Sequence, residues 1–184
     1  GEIISADSRQ LYRHMDIATA KPSKTELGQA PHHGFDLKNP DERYSAGQFV
    51  RYARCLLEDL WHRGTIPVVV GGTGLYIQAL LDGLWVEEHA ADQVRTALQN
   101  RLQMEGFGVL YSELAQLDPI AHTRIEAGDT QRVLRALELA LTTGGKGGIG
   151  ADPLPCIPMA FSLFRDREEL NRCIDKRVDE MLDQ

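Results

Sequence analysis

The chain opens on Ile3-Ile4-Ser5-Ala6-Asp7, a strand-like apolar run that breaks into polar positions at Asp7. Ser45-Ala46-Gly47-Gln48 has the S-x-x-Q form of a capping box, and Phe49, Tyr52, Leu56 and Leu60 follow at helical spacing until Gly64 closes the helix. Ile66-Pro67-Val68-Val69-Val70 is almost wholly apolar, as a parallel strand buried on both faces would be. Gly71-Gly72-Thr73-Gly74 turns it into a helix over Leu75 to Leu81. Strand, capped helix and strand in this order predict an α/β fold with a parallel sheet flanked by helices.

Beyond Asp82-Gly83 the pattern becomes helical. Asp92 is placed to cap a helix carrying Val94, Leu98 and Leu102, with Gly106 stopping it. Asp118-Pro119 has the chemistry of a cap followed by a first-turn proline, and Asp129 opens a helix over Thr130 to Thr142. A glycine-rich connector, Gly144 to Gly150, and a proline-rich approach lead to an expected last strand, Ile157 to Phe164. Leu170, Ile174, Val178 and Met181 then mark an amphipathic helix. The expected organisation is a parallel α/β core over 1–90 and 129–184 with a helical insertion over 91–128, without internal repeats. The absence of an initiating Met, and an end inside a helical pattern, lead to the expectation that both ends are truncated.

With 184 residues, 42% apolar and 26% charged, the composition is that of an ordered globular chain. A net charge of −7 argues against a globally basic nucleic-acid coat, although a few local arginines still suffice to bind phosphate. No segment approaches the roughly 20 apolar residues that span a bilayer, so no membrane partner and a cytoplasmic location are expected. Cys55, Cys156 and Cys173 form no CxxC pair and are read as reduced core thiols. His32-His33 lacks carboxylates at metal-ligand spacing, so no metal site is assigned to it.

Three groups could carry chemistry. Asp7-Ser8-Arg9-Gln10 follows the first strand, where ligands of parallel sheets bind; Asp7 or Ser8 would equally serve as a helix cap. Gly71 to Gly74 leaves the second strand on the same edge and suits an anion, or is simply a tight turn. Gln131, Arg132 and Arg135 share a helix face fit for phosphate and base edges, or form a solvated stripe. Arg172, Lys176 and Arg177 add positive charge on the last helix.

Together, Ile3 to Tyr12, Met15-Asp16-Ile17-Ala18-Thr19-Ala20-Lys21-Pro22, Pro31-His32-His33, Tyr44-Ser45-Ala46, Val70 to Tyr76, Asp129 to Glu138 and Arg177 to Leu182 resemble the signature blocks of the tRNA dimethylallyltransferase family, in the family's order. The resemblance implies a P-loop-NTPase-like, nucleotide-binding (ATP-binding) core. It also implies transfer of a dimethylallyl group from dimethylallyl diphosphate to N6 of the adenosine 3′ to the anticodon, with Mg²⁺ as cofactor and a monomeric enzyme. It assigns catalysis to Asp7, Thr73 and Arg177, with Asp7 as base, worth about 10²- to 10⁴-fold, and Arg177 near the departing diphosphate. It assigns contact with the tRNA anticodon loop to Asp7, Ser8, Arg9, Gln10, Thr73, Arg95, Gln131, Arg132, Val133, Leu134 and Arg135, with the target base flipped out of its stack.

The family's P-loop and its C-terminal helices have no counterpart in these 184 residues, which are therefore expected to be inactive alone. The connector is also shorter and richer in glycine than the family pattern. The alternatives are an adenylate isopentenyltransferase acting on free nucleotide, a nucleotide kinase, and a non-catalytic tRNA-binding remnant.

Overall fold

A computed structural model describes residues 1–83, 88–143 and 152–182. In chain order the elements are β1 (Glu2–Ser5), α1 (Lys24–Leu27), β2 (His32–His33), α2 (Ala46–His62), β3 (Pro67–Val70), α3 (Gly74–Asp82), α4 (Glu88–Glu105), α5 (Phe107–Leu117), α6 (Pro119–Arg124), α7 (Thr130–Thr143) and α8 (Arg167–Leu182). They fall into two compact units, one of Gly1–Leu81 with Pro153–Gln184 and one of Asp82–Asp152.

In the first unit the sheet runs β2-β1-β3, all parallel, with Ser5 paired to Val70 and Ile4 to His33. Ser45 makes both halves of the capping box with Gln48 and starts α2, whose Phe49, Ala53, Leu57 and Leu60 are buried. Ile4, Ala6, Leu11 and, from α3, Tyr76, Ala79 and Leu80 complete this core. Gly64, at φ +64°, ends α2 in the left-handed conformation that glycine tolerates best.

Three expectations fail here. β3 is an edge strand among the described residues: Ile66, Val68 and Val70 are 72%, 45% and 52% exposed, with β1 the only described strand paired to it. Ile157 to Phe164 forms no strand, since no ladder pairs with it, and Ile157 and Leu163 are fully exposed. Cys55 and Cys156 are exposed and Cys173 half-buried, so none is a core thiol; Cys55 sits on a solvent-facing position of α2. The two-residue β2 is too short to carry a period in the sequence.

The second unit is wholly helical among its described residues. Leu98 of α4, Leu110 and Leu114 of α5, and Val133 and Leu137 of α7 form one buried cluster. Because α7 packs on α4 and α5, it belongs to this unit. The helical unit, Asp82–Asp152, therefore reaches beyond the expected insertion over 91–128 to include α7. Glu88 begins α4, so Asp92 falls inside the helix instead of capping it. Asp118 does cap α6, accepting from the Ala121 amide at 2.8 Å, and Asp129 accepts from the Arg132 amide at 3.1 Å at the start of α7. The Gly144 to Gly150 connector lies outside the described residues.

Candidate functional site

Parallel pairing of β1 with β3 delivers their carboxyl ends side by side, so the loops that follow meet. The Thr73 amide donates to the Ala6 carbonyl at 3.2 Å. The Thr73 hydroxyl accepts from the Ser8 amide at 3.0 Å and donates to Ser8 Oγ at 3.2 Å. Gly71 makes this closeness possible, since a Cβ there would sit 2.3 Å from the Ala6 carbonyl oxygen. At Gly72 and Gly74 a Cβ would meet nothing, and both residues are exposed. The lack of side chains there leaves the turn open to an approaching ligand.

Asp7 is held by its own loop. Its Oδ1 accepts from the Arg9 amide at 2.7 Å and the Gln10 amide at 3.3 Å, the cap-like arrangement that its sequence context also allowed. These bonds fix the carboxylate in place and leave Oδ2 outside them. Gln10 works inward: its Nε2 donates to the Thr19 and Ala20 carbonyls at 3.1 and 3.0 Å, and its Oε1 accepts from Ser5 Oγ at 3.2 Å. Lys21 fastens the same loop, reaching Asp16 and Asp36 at 2.7 Å each as well as the Tyr12 carbonyl. The loop is thus clamped at both ends. Arg9 is exposed beside it.

Tyr76, stacked on Phe49 at 4.5 Å and edge-on to Tyr44, lies beneath; burial pushes its hydroxyl pKa up, with the Tyr12 and Asp7 oxygens adding to the effect. Tyr44 has its Oη buried without a hydrogen-bond partner among the described residues, and burial raises its pKa to about 12.

The other assigned residues lie on α4, α7 and α8. Arg177 is exposed on α8, and among the described residues no hydrogen bond or ion pair joins it to Asp7 or Thr73. On α7, Gln131 and Arg132 are exposed, and Arg132 lies 3.4 Å from Asp129. Val133 has no exposed surface, so its side chain supports the helix face, while Leu134 is half-buried against the same core. Arg95 and Arg135 both bond Glu138, a buried carboxylate that was not singled out from the sequence. Its spacing of three from Arg135 was visible; its burial comes from α4, which the local pattern does not reveal. His32 and His33 turn to different partners, the Ala30 carbonyl and Glu2.

A family model described as IPP transferase matches residues 10–184. A tRNA dimethylallyltransferase from Stenotrophomonas maltophilia is 44% identical over the whole chain, and one from Desulfosudis oleivorans is 43% identical over 99% of it. The chain spans 60% of the length of each of these relatives. Among solved structures, a eukaryotic dimethylallyltransferase acting on tRNA matches with a TM-score of 0.78 at 30% identity, covering all of this chain and 46% of that one. The full-length tRNA isopentenylpyrophosphate transferase of Bacillus halodurans matches with a TM-score of 0.56 at 34% identity, again over all of this chain and 58% of that one. Since the family model and these relatives cover essentially every residue from the paired loops to α8, the chain belongs to the IPP transferase family.

Proposed function

We propose that this chain carries the acceptor-activating part of a tRNA dimethylallyltransferase, with Asp7 as the base that deprotonates the target adenosine. The observation that supports this is the Asp7–Ser8–Thr73 junction, where a carboxylate fixed by two backbone amides adjoins an open, glycine-lined turn. The names of the similar proteins favour tRNA over a free nucleotide as acceptor.

An adenine amino group is a weak nucleophile because its lone pair is delocalised into the ring. As N6 bonds to the allylic carbon, the carbon–oxygen bond to diphosphate breaks and its electron pair leaves with the diphosphate. The N6 proton passes to the free oxygen of Asp7. The base must leave its stack to reach the carboxylate, and the adenosine in the loop 3′ to the anticodon is the acceptor in this reading. Ser8, Arg9 and Thr73 line the approach, Gln10 sets the shape of the loop, and Arg177 is the candidate partner of the leaving diphosphate. On the helical unit Arg95, Gln131, Arg132 and Arg135 would meet tRNA phosphates and base edges.

Among the described residues no three His, Cys, Asp or Glu side chains converge into a cage for Mg²⁺. When bound, Mg²⁺ would neutralise charge on the departing diphosphate. No step assigned to Asp7 runs through the ion.

The sequence holds no GxxxxGK[ST] stretch to cradle diphosphate, so these 184 residues alone transfer no prenyl group in this reading. The test uses a form of the protein that contains these residues and transfers the prenyl group. Asp7→Asn there should lower kcat by about 10²- to 10⁴-fold while tRNA affinity stays within a few-fold. Undiminished turnover removes Asp7 as base, and prenylation of AMP in preference to tRNA moves the reading to the free-nucleotide alternative.

A further inference from the structure

Glu138 is the buried acidic side chain of the helical unit among the described residues, at 2% exposure. Its Oε1 accepts from Arg95 Nη2 at 2.9 Å and from Arg135 Nη1, and its Oε2 accepts from Arg95 Nε at 3.2 Å. Arg135 comes from the same helix, three residues earlier, whereas Arg95 comes from α4, 43 positions away. Both arginines keep 38% of their side-chain surface exposed, so a dry anchor holds two partly wet guanidinium groups. Arg132, on the same helix, is 74% exposed and only loosely paired with Asp129 at 3.4 Å.

A buried ion pair is a poor way to gain stability, since well-packed apolar residues usually do as well. What it does provide is fixed direction. Two neighbouring guanidinium groups repel each other and sample many rotamers; a shared carboxylate removes the repulsion and sets both in one orientation before any ligand arrives. We propose that Glu138 is a positioning residue for RNA, presenting Arg95 and Arg135 as one preset fork. This rests on the reading that both arginines meet tRNA.

Charge and position make opposite predictions for Glu138→Gln. The substitution raises the local charge by one unit, so if the arginines acted as bare charge, anticodon stem-loop RNA would bind more tightly and with a steeper salt dependence. Positioning predicts weaker binding, by about tenfold, and no further loss when Glu138→Gln is added to an Arg95→Ala/Arg135→Ala background. Unchanged RNA affinity in Arg95→Ala and Arg135→Ala overturns the tRNA reading of these arginines and this inference with it. Loss in those variants together with equal or tighter binding by Glu138→Gln overturns the inference alone. In the unsubstituted protein, nitrogen-15 spectra should show the Arg95 and Arg135 guanidinium signals ordered and slow to exchange, unlike Arg132. Signals as averaged as those of Arg132 would overturn the proposal without any variant.

Discussion

Tyr44 keeps its hydroxyl out of water without a partner among the described residues, edge-on to Tyr76 and next to the N-cap of α2. A buried, unsatisfied hydroxyl is a cost, so Tyr44→Phe should leave stability unchanged or raise it by up to about 1 kcal/mol in urea unfolding. A loss of more than that would mean the oxygen has a partner. Glu2 behaves in the opposite way. Hydrogen bonds from Arg63 and then His33 hold its carboxyl down to about 2, from an ordinary 4.5. Because the folded value lies below the unfolded one, the stabilisation is complete above pH 4.5 and disappears as pH falls through about 2. Glu2→Gln should therefore flatten part of the acid limb between those values in a stability-against-pH curve. Parallel curves for the two proteins would exclude this. Neither feature was legible beforehand, because Arg63 and His33 approach Glu2 only through the fold.

Local chemistry did mark several elements. Ser45 with Gln48, Gly64, Asp118 with Pro119 and Asp129 stand where caps and stops were expected, since a cap is made within one turn of sequence. Asp118 closes α5 and opens α6 at once, so Asp118→Ala should destabilise the helical unit by about 1 kcal/mol, seen as a lower melting temperature with α4 and α7 intact. No change would show that the Ala121 amide is satisfied by water. Sequence failed where an element depends on a distant neighbour. The apolar run of Ile157 to Phe164 reads as a strand, yet a strand exists only with a ladder beside it. The pairing of the Asp7 and Thr73 loops was legible, because two strand ends on one side of a parallel sheet follow from topology. That Gln10 turns inward, and that Glu138 ties two helices, were not, because both depend on tertiary contacts.

At the scale of the whole molecule, the apolar surface is unevenly covered. Phe161, Leu163 and Phe164 are 85%, 100% and 92% exposed, and Leu170, Ile174 and Val178 of α8 are each nearly half exposed. Patches of this kind attract apolar partners. The 184-residue chain should bind an anilinonaphthalene dye strongly, and Phe161→Ser with Leu163→Ser should cut the signal by about half or more. An equal signal would place the dye elsewhere. Each unit has a core of its own, so the helical unit, carrying Arg95 and Arg135, is an object for RNA titration apart from the question of prenyl transfer.

The register that sets Ser5 opposite Val70 leaves an engineer little freedom upstream of the crevice. Adding one codon within β1 would invert the alternation of its side chains and swing the Asp7 carboxylate to the opposite face of the pleat, away from Thr73. The exposed stretch around Gly28 and Gln29, by contrast, should accept a tag or a reporter peptide without disturbing that alignment.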